Sequence, residues 1–313
     1  MKDMLNKLLI LRSPGIGPVK YKKLVDEYGT DENIISHLSP SQDFIDSVKR
    51  EMDLAHDLGI EYISDTDSRY PVGLLSVKNH PVVITARGNI STFAKKSVSI
   101  VGTRHSTAAG MNFVSDIACA FAEHDFVVTS GMAMGTDTAA HRGALNADGD
   151  SQTIAVLAGG VDYIWPIENE SLYYEILERG VVISEMPVGM QPTAQNFVQR
   201  NHWVAALSDI LIVGEADEKS GSMTTARFAI DYKKRIFAVP GHPSDARSKG
   251  PNSLIKSGDA TLCMSLNDFF DDVSMGENKK NRISENDILD KLGMIPVSES
   301  VVANLVKKTV AES

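Results

Sequence analysis

The residues of this chain that could do chemistry gather where short apolar runs end. Gly102-Thr103-Arg104 follows Ser97–Val101, and Ser130-Gly131 with Gly135 follows Phe126–Thr129. Ala158-Gly159-Gly160 follows Thr153–Leu157. Gly214-Glu215-Ala216, and soon Ser220-Gly221-Ser222, follow Asp209–Val213; Pro240-Gly241-His242 follows Arg235–Val239. Glycine lets backbone approach a ligand, and free N–H groups at helix starts attract anions. Arg104, Arg200 and Lys256 add positive charge. One such turn is most often steric; five on one sheet edge read as an anion cradle suited to phosphate.

Groups for acid–base work are sparse. Asp137 is placed to cap a helix, and His141, four residues on, can face it as a structural pair. Glu185, Glu215 and Asp209 are isolated carboxylates, more often structural than catalytic. His202 and His242 show no metal-ligand spacing with each other or with Cys119. No GxSxG elbow is present, no GxGxxG follows the first strand, and no GxxxxGK[ST] occurs anywhere. The expectation is a protein without catalytic residues, without a metal and without a cofactor, NAD and ATP included.

The turns need elements to position them. Apolar, β-branched runs at Val82–Ala86, Ser97–Val101, Phe126–Thr129, Thr153–Leu157, Val181–Ser184, Asp209–Val213 and Arg235–Val239 read as strands. Helical patterns lie between them at Asn112–His124, Thr138–Asn146, Ser171–Glu178 and Thr224–Tyr232. The alternation predicts an α/β fold: a Rossmann-like, doubly wound and mostly parallel sheet. Ligands of such sheets bind beyond the carboxyl ends of the strands. Residues 1–65 read as a small all-α module, 66–272 as the Rossmann-like domain, and 273–313 as a polar linker with a short helical tail. In the helical module, Ser13-Pro14-Gly15-Ile16-Gly17-Pro18 reads either as a plain turn between helices or as a helix-hairpin-helix element facing a phosphate.

The 313 residues carry a net charge of −10, unevenly spread. Asp26 to Asp65 holds eleven acids against two bases, whereas Thr85 to Asn112 holds four bases and no acid. An acidic N-terminal module thus precedes a part with basic islands, so the negative sum does not argue against nucleic acid. Two cysteines without a CxxC pair suit a reduced, cytoplasmic protein, and no apolar run approaches the ~20 residues of a membrane span.

These motifs resemble the DprA/Smf family. Val98-Ser-Ile-Val-Gly-Thr-Arg104 is similar to its IVGxR opening. Val128-Thr-Ser-Gly-Met-Ala-Met-Gly-Thr-Asp-Thr-Ala-Ala-His-Arg-Gly-Ala-Leu145 is similar to its SGxAxGID…AH…AL block. Phe197-Val-Gln-Arg-Asn201 with Ala205–Asp209, Ser220–Ala226, Val239–Gly241 and Gly250–Gly258 resemble the later blocks, in order. The likeness runs from about Ser68 to Cys263, and the N-terminal helices resemble the family's SAM/helix-hairpin-helix module.

The resemblance implies a single-stranded DNA-binding protein that loads a RecA-type recombinase in natural transformation, acts as a homodimer and has no membrane partner and no catalytic activity. It implies phosphate binding at Gly102, Thr103, Arg104, Ser130, Gly131, Gly135, Arg200, Asn201, Ser220, Gly221, Ser222, Gly241, Asn252 and Lys256. Two positions depart from the family pattern: Met134 and His202 stand where arginines are usual. If both border the cradle, it holds fewer fixed cations. Many members also end in a winged helix, of which Ile288–Val310 could supply only the opening helices. The alternative is a nucleotide-ligand sensor or a phosphoribohydrolase of the LOG-like group. That group's PGGxGT loop with a following catalytic Glu has no counterpart here, where Arg227 follows Ser220–Thr224.

Overall fold

Four apolar runs are buried along their entire length, as strands covered on both faces must be. The structure, a computed structural model, describes residues 2–148 and 152–269. Four helices open the chain: α1 (Lys2–Arg12), α2 (Pro18–Tyr28), α3 (Asp31–Leu38) and α4 (Gln42–Asp57). Then come β1 (Ile60–Ser64), the short α5 (Val72–Leu75), β2 (Val83–Gly88), β3 (Ser97–Val101), α6 (Ala108–Glu123), β4 (Val127–Ser130) and α7 (Thr136–Asn146). The remainder is β5 (Thr153–Val156), α8 (Glu170–Arg179), β6 (Val181–Ser184), α9 (Ala194–Leu207), β7 (Ile210–Val213), α10 (Gly221–Asp231), β8 (Arg235–Ala238), α11 (Lys249–Ser257) and β9 (Thr261–Leu262).

The strands form one sheet in the order β1-β2-β6-β5-β4-β3-β7-β8-β9. From β6 to β9 every pairing is parallel; β2 joins β6, and β1 joins β2, antiparallel. The parallel part starts at β3, builds outward through β4, β5 and β6, then returns to the other side of β3 with β7. That reversal is a topological switch point, where the loops after neighbouring strands diverge and leave a crevice. The fold is therefore the expected Rossmann-like, mostly parallel α/β sheet with an N-terminal helical module.

Two expectations change. Residues 60–64 belong to an edge strand rather than to a helix: Ile60 and Ile63 are buried while Glu61 is exposed, in register with β2 from Ile60↔Arg87 to Ser64↔Val83. The four helices also share a core with the sheet, since Leu8, Leu9, Ile10, Ile34 and Val48 cluster with Val82 and Val83. Glu51 of α4 clamps this junction. It takes a bidentate pair from Arg12 (2.8 and 3.0 Å) and bonds from the Tyr62 hydroxyl and the Val188 N–H. The turn Ser13–Pro18 does link two helices, with Gly15 at φ +72° and Pro18 opening α2. The chain divides into two units, Met1–Leu262 and Cys263–Ser313. The expected linker and tail, Ile288–Val310 included, lie outside the described residues.

Candidate functional site

Helix α9 builds one wall of the switch-point crevice. Phe197, Arg200, Asn201 and Val204 recur at helical spacing and line one cleft with Gly102, Thr103, Arg104 and His105 after β3, Gly131 after β4, and Ser220, Gly221 and Ser222 at the start of α10. The cleft has a volume of about 340 Å³. Hydroxyls pin α9 to the sheet: Ser99 donates to Val204 O at 2.5 Å and Ser97 to Leu207 O at 3.0 Å. Across the cleft, Asn201 Nδ2 donates to Gly221 O (3.2 Å) and the Ser222 hydroxyl to Gly102 O (2.7 Å). The N–H groups of Gly221 and Ser222 precede the first intrahelical bonds of α10, whose cap Ser220 accepts from Met223 N–H. This helix start borders the cleft and favours an anion there.

The two arginines have opposite environments. Arg104 is exposed, and its Cζ lies 4.9 Å from the Trp165 ring centroid and 5.4 Å from that of Phe197. It makes no ion pair among the described residues. Arg200 is only 6% exposed and forms part of the cleft floor. Its Nη1 donates to Gly131 O and to Val156 O (2.9 Å), and its Nε to Asn201 Oδ1 (3.2 Å). The expected phosphate position Arg200 lines the cleft as a buried cation that ties β4, β5 and α9 together. Burial weighs against its charge and Asp137 offsets that cost. Gly131 makes room for this arrangement, because a Cβ there would meet the Arg200 guanidinium and displace it.

Asp137 also lies in the floor, accepting from Ala133 N–H at 3.2 Å. Burial raises its pKa, against the pull of Arg200 and its donors. It braces the β4–α7 loop and does not pair with His141. His141 instead bonds Thr153 Oγ1 at 2.7 Å, and burial, then Arg200, push its pKa down to about 3. Glu215 accepts from the Ser106 hydroxyl, the Thr107 N–H and the Thr107 hydroxyl at 2.6–2.7 Å. Burial would raise its pKa, but these donors hold it below the usual range, so it is an ionised anchor for the start of α6.

Nine of the fourteen sequence-predicted positions line the cleft: Gly102, Thr103, Arg104, Gly131, Arg200, Asn201, Ser220, Gly221 and Ser222. Ser130 and Gly135 stand behind it. The Ser130 hydroxyl donates to Ile100 O at 2.6 Å, and Gly135 turns at φ +75° where a Cβ would meet Thr103 O at 2.5 Å. Gly241, Asn252 and Lys256 do not line it: Gly241 and Asn252 bond each other (3.2 and 2.8 Å), and Lys256 is exposed on α11. The glycine turns after β5 and β8 thus do not line this cleft. These strands lie two places from β3, roughly 10 Å along the sheet.

His202 does not border the cleft either. Its ring stacks on Phe228 at 3.4 Å between centroids and bonds the Tyr232 hydroxyl at 2.7 Å, and burial lowers its pKa. Met134 is 46% exposed, so it is no core residue, and it does not line the cleft. Sequence reasoning passed over Phe197, Val198 and Val204, whose signal was their spacing from Arg200. Trp165, beside Arg104, gave none, because it lies on a distant loop. Among the described residues no group of side chains could hold a metal ion, and no helix is long and apolar enough to cross a membrane.

Fold and cleft together define a Rossmann-like α/β protein whose switch-point crevice holds an exposed arginine and the start of a helix. The family profile described as DNA recombination-mediator protein A matches residues 61–274, and the chain belongs to that family, DprA/Smf. It is 33% identical over 233 residues to the DNA processing protein DprA of Bacillus subtilis, covering 74% of this chain and 77% of that one. The likeness to protein Smf of Synechocystis is 32% over 241 residues, covering 76% and 55%. Among solved structures, DprA from Streptococcus pneumoniae superposes with a TM-score of 0.71 at 30% identity, over 88% of this chain and 99% of that one. DNA processing protein A of Helicobacter pylori, which has a single-stranded DNA binding mode, superposes with a TM-score of 0.62 at 29% identity, over 70% and 97%.

Proposed function

We propose that this protein binds single-stranded DNA through the switch-point cleft and delivers it to a recombinase of the RecA type, without catalysing a reaction of its own. The observation that carries the reading is Arg104: an exposed guanidinium with no ion-pair partner among the described residues, in the same cleft as the free start of α10. A flexible phosphate backbone can follow such a groove, which offers charge and backbone donors without reading a duplex. The single-stranded DNA binding of the Helicobacter pylori relative and the family's description as a recombination mediator support the same reading. Against an enzymatic role stands the commitment of the carboxylates: Glu215 is held by three hydrogen bonds, and Asp137, in the cleft floor, accepts from the Ala133 N–H and offsets the Arg200 cation. The homodimer implied by the family resemblance is part of the proposal.

Photo-crosslinking of a bromodeoxyuridine-substituted single strand, followed by peptide mapping, tests where the strand runs. Adducts are expected at 101–105, 197–204 and 220–225. Adducts confined to the helical hairpin at 13–18 would move the site out of the cleft. For delivery, adding the protein to strands coated with single-strand binding protein is expected to shorten the lag before recombinase ATP hydrolysis. An unchanged lag contradicts that half of the proposal.

A further inference from the structure

Helix α9 works on two sides. Phe197, Arg200, Asn201 and Val204 line the cleft, while Asn196 and Trp203, two turns apart on one face, bear on the loop after β6. Asn196 donates to Met186 Sδ at 3.1 Å and completes the capping box of α9 with Thr193. Glu185, the residue before Met186, is half-buried and turns toward Trp203. Yet neither Glu185 Oε1 nor Trp203 Nε1 has a hydrogen-bond partner among the described residues, and both atoms are sealed from solvent. Such atoms are rare because each is costly, and this facing pair bears on the helix that builds the cleft wall.

No cation compensates the carboxyl: desolvation and the opposing indole are what act on it. The other titratable group toward it is Tyr70, whose hydroxyl donates to Pro81 O at 2.5 Å and whose pKa is raised by burial, then by Asp65 and Glu185. Arg200, on the same helix, is engaged with Gly131 O, Val156 O and Asn201.

We infer that Glu185 is a positioning residue for α9, and that the cleft holds a single strand best while this carboxyl carries its proton. The inference rests on the single-strand reading above and adds a regulation to that site. Neutral, the acid is tolerated beside the apolar cluster that includes Tyr70 and Trp203. Ionised, it needs donors, and it draws on the Trp203 indole or on water. Either displaces the helix that carries Phe197 and Asn201. The ionised form also sets a negative charge behind a cleft that receives a polyanion. Both effects favour binding to the protonated form, so by linkage a bound strand favours protonation. Desolvation raises this pKa to about 7, which brings the change to neutral pH.

The test is calorimetric titration of wild-type protein with oligo(dT) at pH 7.5 and constant salt, in two buffers of different ionisation enthalpy. The difference counts the protons taken up per strand bound. Uptake of a fraction of a proton is expected, with an affinity about fivefold or more lower at pH 8.5 than at pH 6. The exposed His105, in the cleft itself, is the rival proton acceptor. Glu185→Gln keeps the shape and stays neutral, so it should abolish the uptake and bind more tightly than wild type at pH 8.5. His105→Gln should retain the uptake. No uptake by wild type, uptake that persists in Glu185→Gln, or uptake lost in His105→Gln would each overturn the role of Glu185 and leave the single-strand reading standing. Failure to bind the strand at any pH would remove both proposals together.

Discussion

At the scale of single residues, the two arginines of the cleft separate binding from folding. Arg104 touches solvent and two rings, so Arg104→Ala should leave the melting temperature almost unchanged. Removing one charge-assisted phosphate contact should weaken single-strand binding by about 1.5–3 kcal/mol. Arg200→Ala should do the reverse. Removing a buried cation leaves Asp137 uncompensated and the carbonyls of Gly131 and Val156 without their donor, a loss of roughly 3–5 kcal/mol in stability. Denaturant unfolding of the two variants beside wild type checks both. A well-folded Arg200→Ala protein with weak binding would return Arg200 to the ligand side. His202→Arg should disturb the stack on Phe228 without steepening salt dependence, since its ring lies outside the cleft.

At the scale of elements, the site depends on how loops are tied to helix starts. Glu215, after β7, holds the start of α6 through Ser106 and Thr107. Glu215→Ala should cost about 0.5–2 kcal/mol, as lost helix caps do. Because its pKa is lowered in the folded state, this contribution is present above the ordinary carboxylate pKa and vanishes as pH falls through the lowered value. Melting curves of variant and wild type should therefore differ at pH 7 and converge in acid. Much of the element scale was legible in the sequence. Short, β-branched apolar runs such as Val181–Ser184, buried along their whole length, read as interior strands, and the turns after β3, β4 and β7 named most of the cleft. Less legible was α9, whose pattern of Phe197, Arg200, Asn201 and Val204 is polar and apolar at once, because one face makes the cleft wall and another the core. Strand β1 escaped because its alternation spans only five residues after a long helix. The glycine turns after β5 and β8 do not line this cleft for a topological reason: spacing along the chain does not say which strands are neighbours, and the order β5-β4-β3-β7-β8 sets those two strands two places from β3.

At the scale of the whole molecule, a half-buried acid should shape the pH dependence of stability. Glu185, just after β6, has an oxygen without a hydrogen-bond partner among the described residues, and desolvation raises its pKa to about 7. The Trp203 indole N–H pulls the other way, favouring the charged form, but less than desolvation opposes it. A raised pKa contributes stability that is complete below the unfolded value and is lost as pH rises through about 7. Glu185→Gln should thus be more stable than wild type at pH 8, by up to about 3 kcal/mol, with the difference closing toward pH 4.5. The function rests on a different whole-molecule property: a chain of net charge −10 is proposed to bind a polyanion through one locally positive cleft. The most direct test is a fluorescence-anisotropy titration of wild-type protein against a single strand and its duplex across a series of salt concentrations, with Arg104→Ala in parallel. The account predicts tighter binding of the single strand, weakening with salt at about −0.7 in the log–log slope per phosphate neutralised, and a slope shallower by about that amount in Arg104→Ala. Equal affinity for strand and duplex, or a slope unmoved by Arg104→Ala, would contradict it.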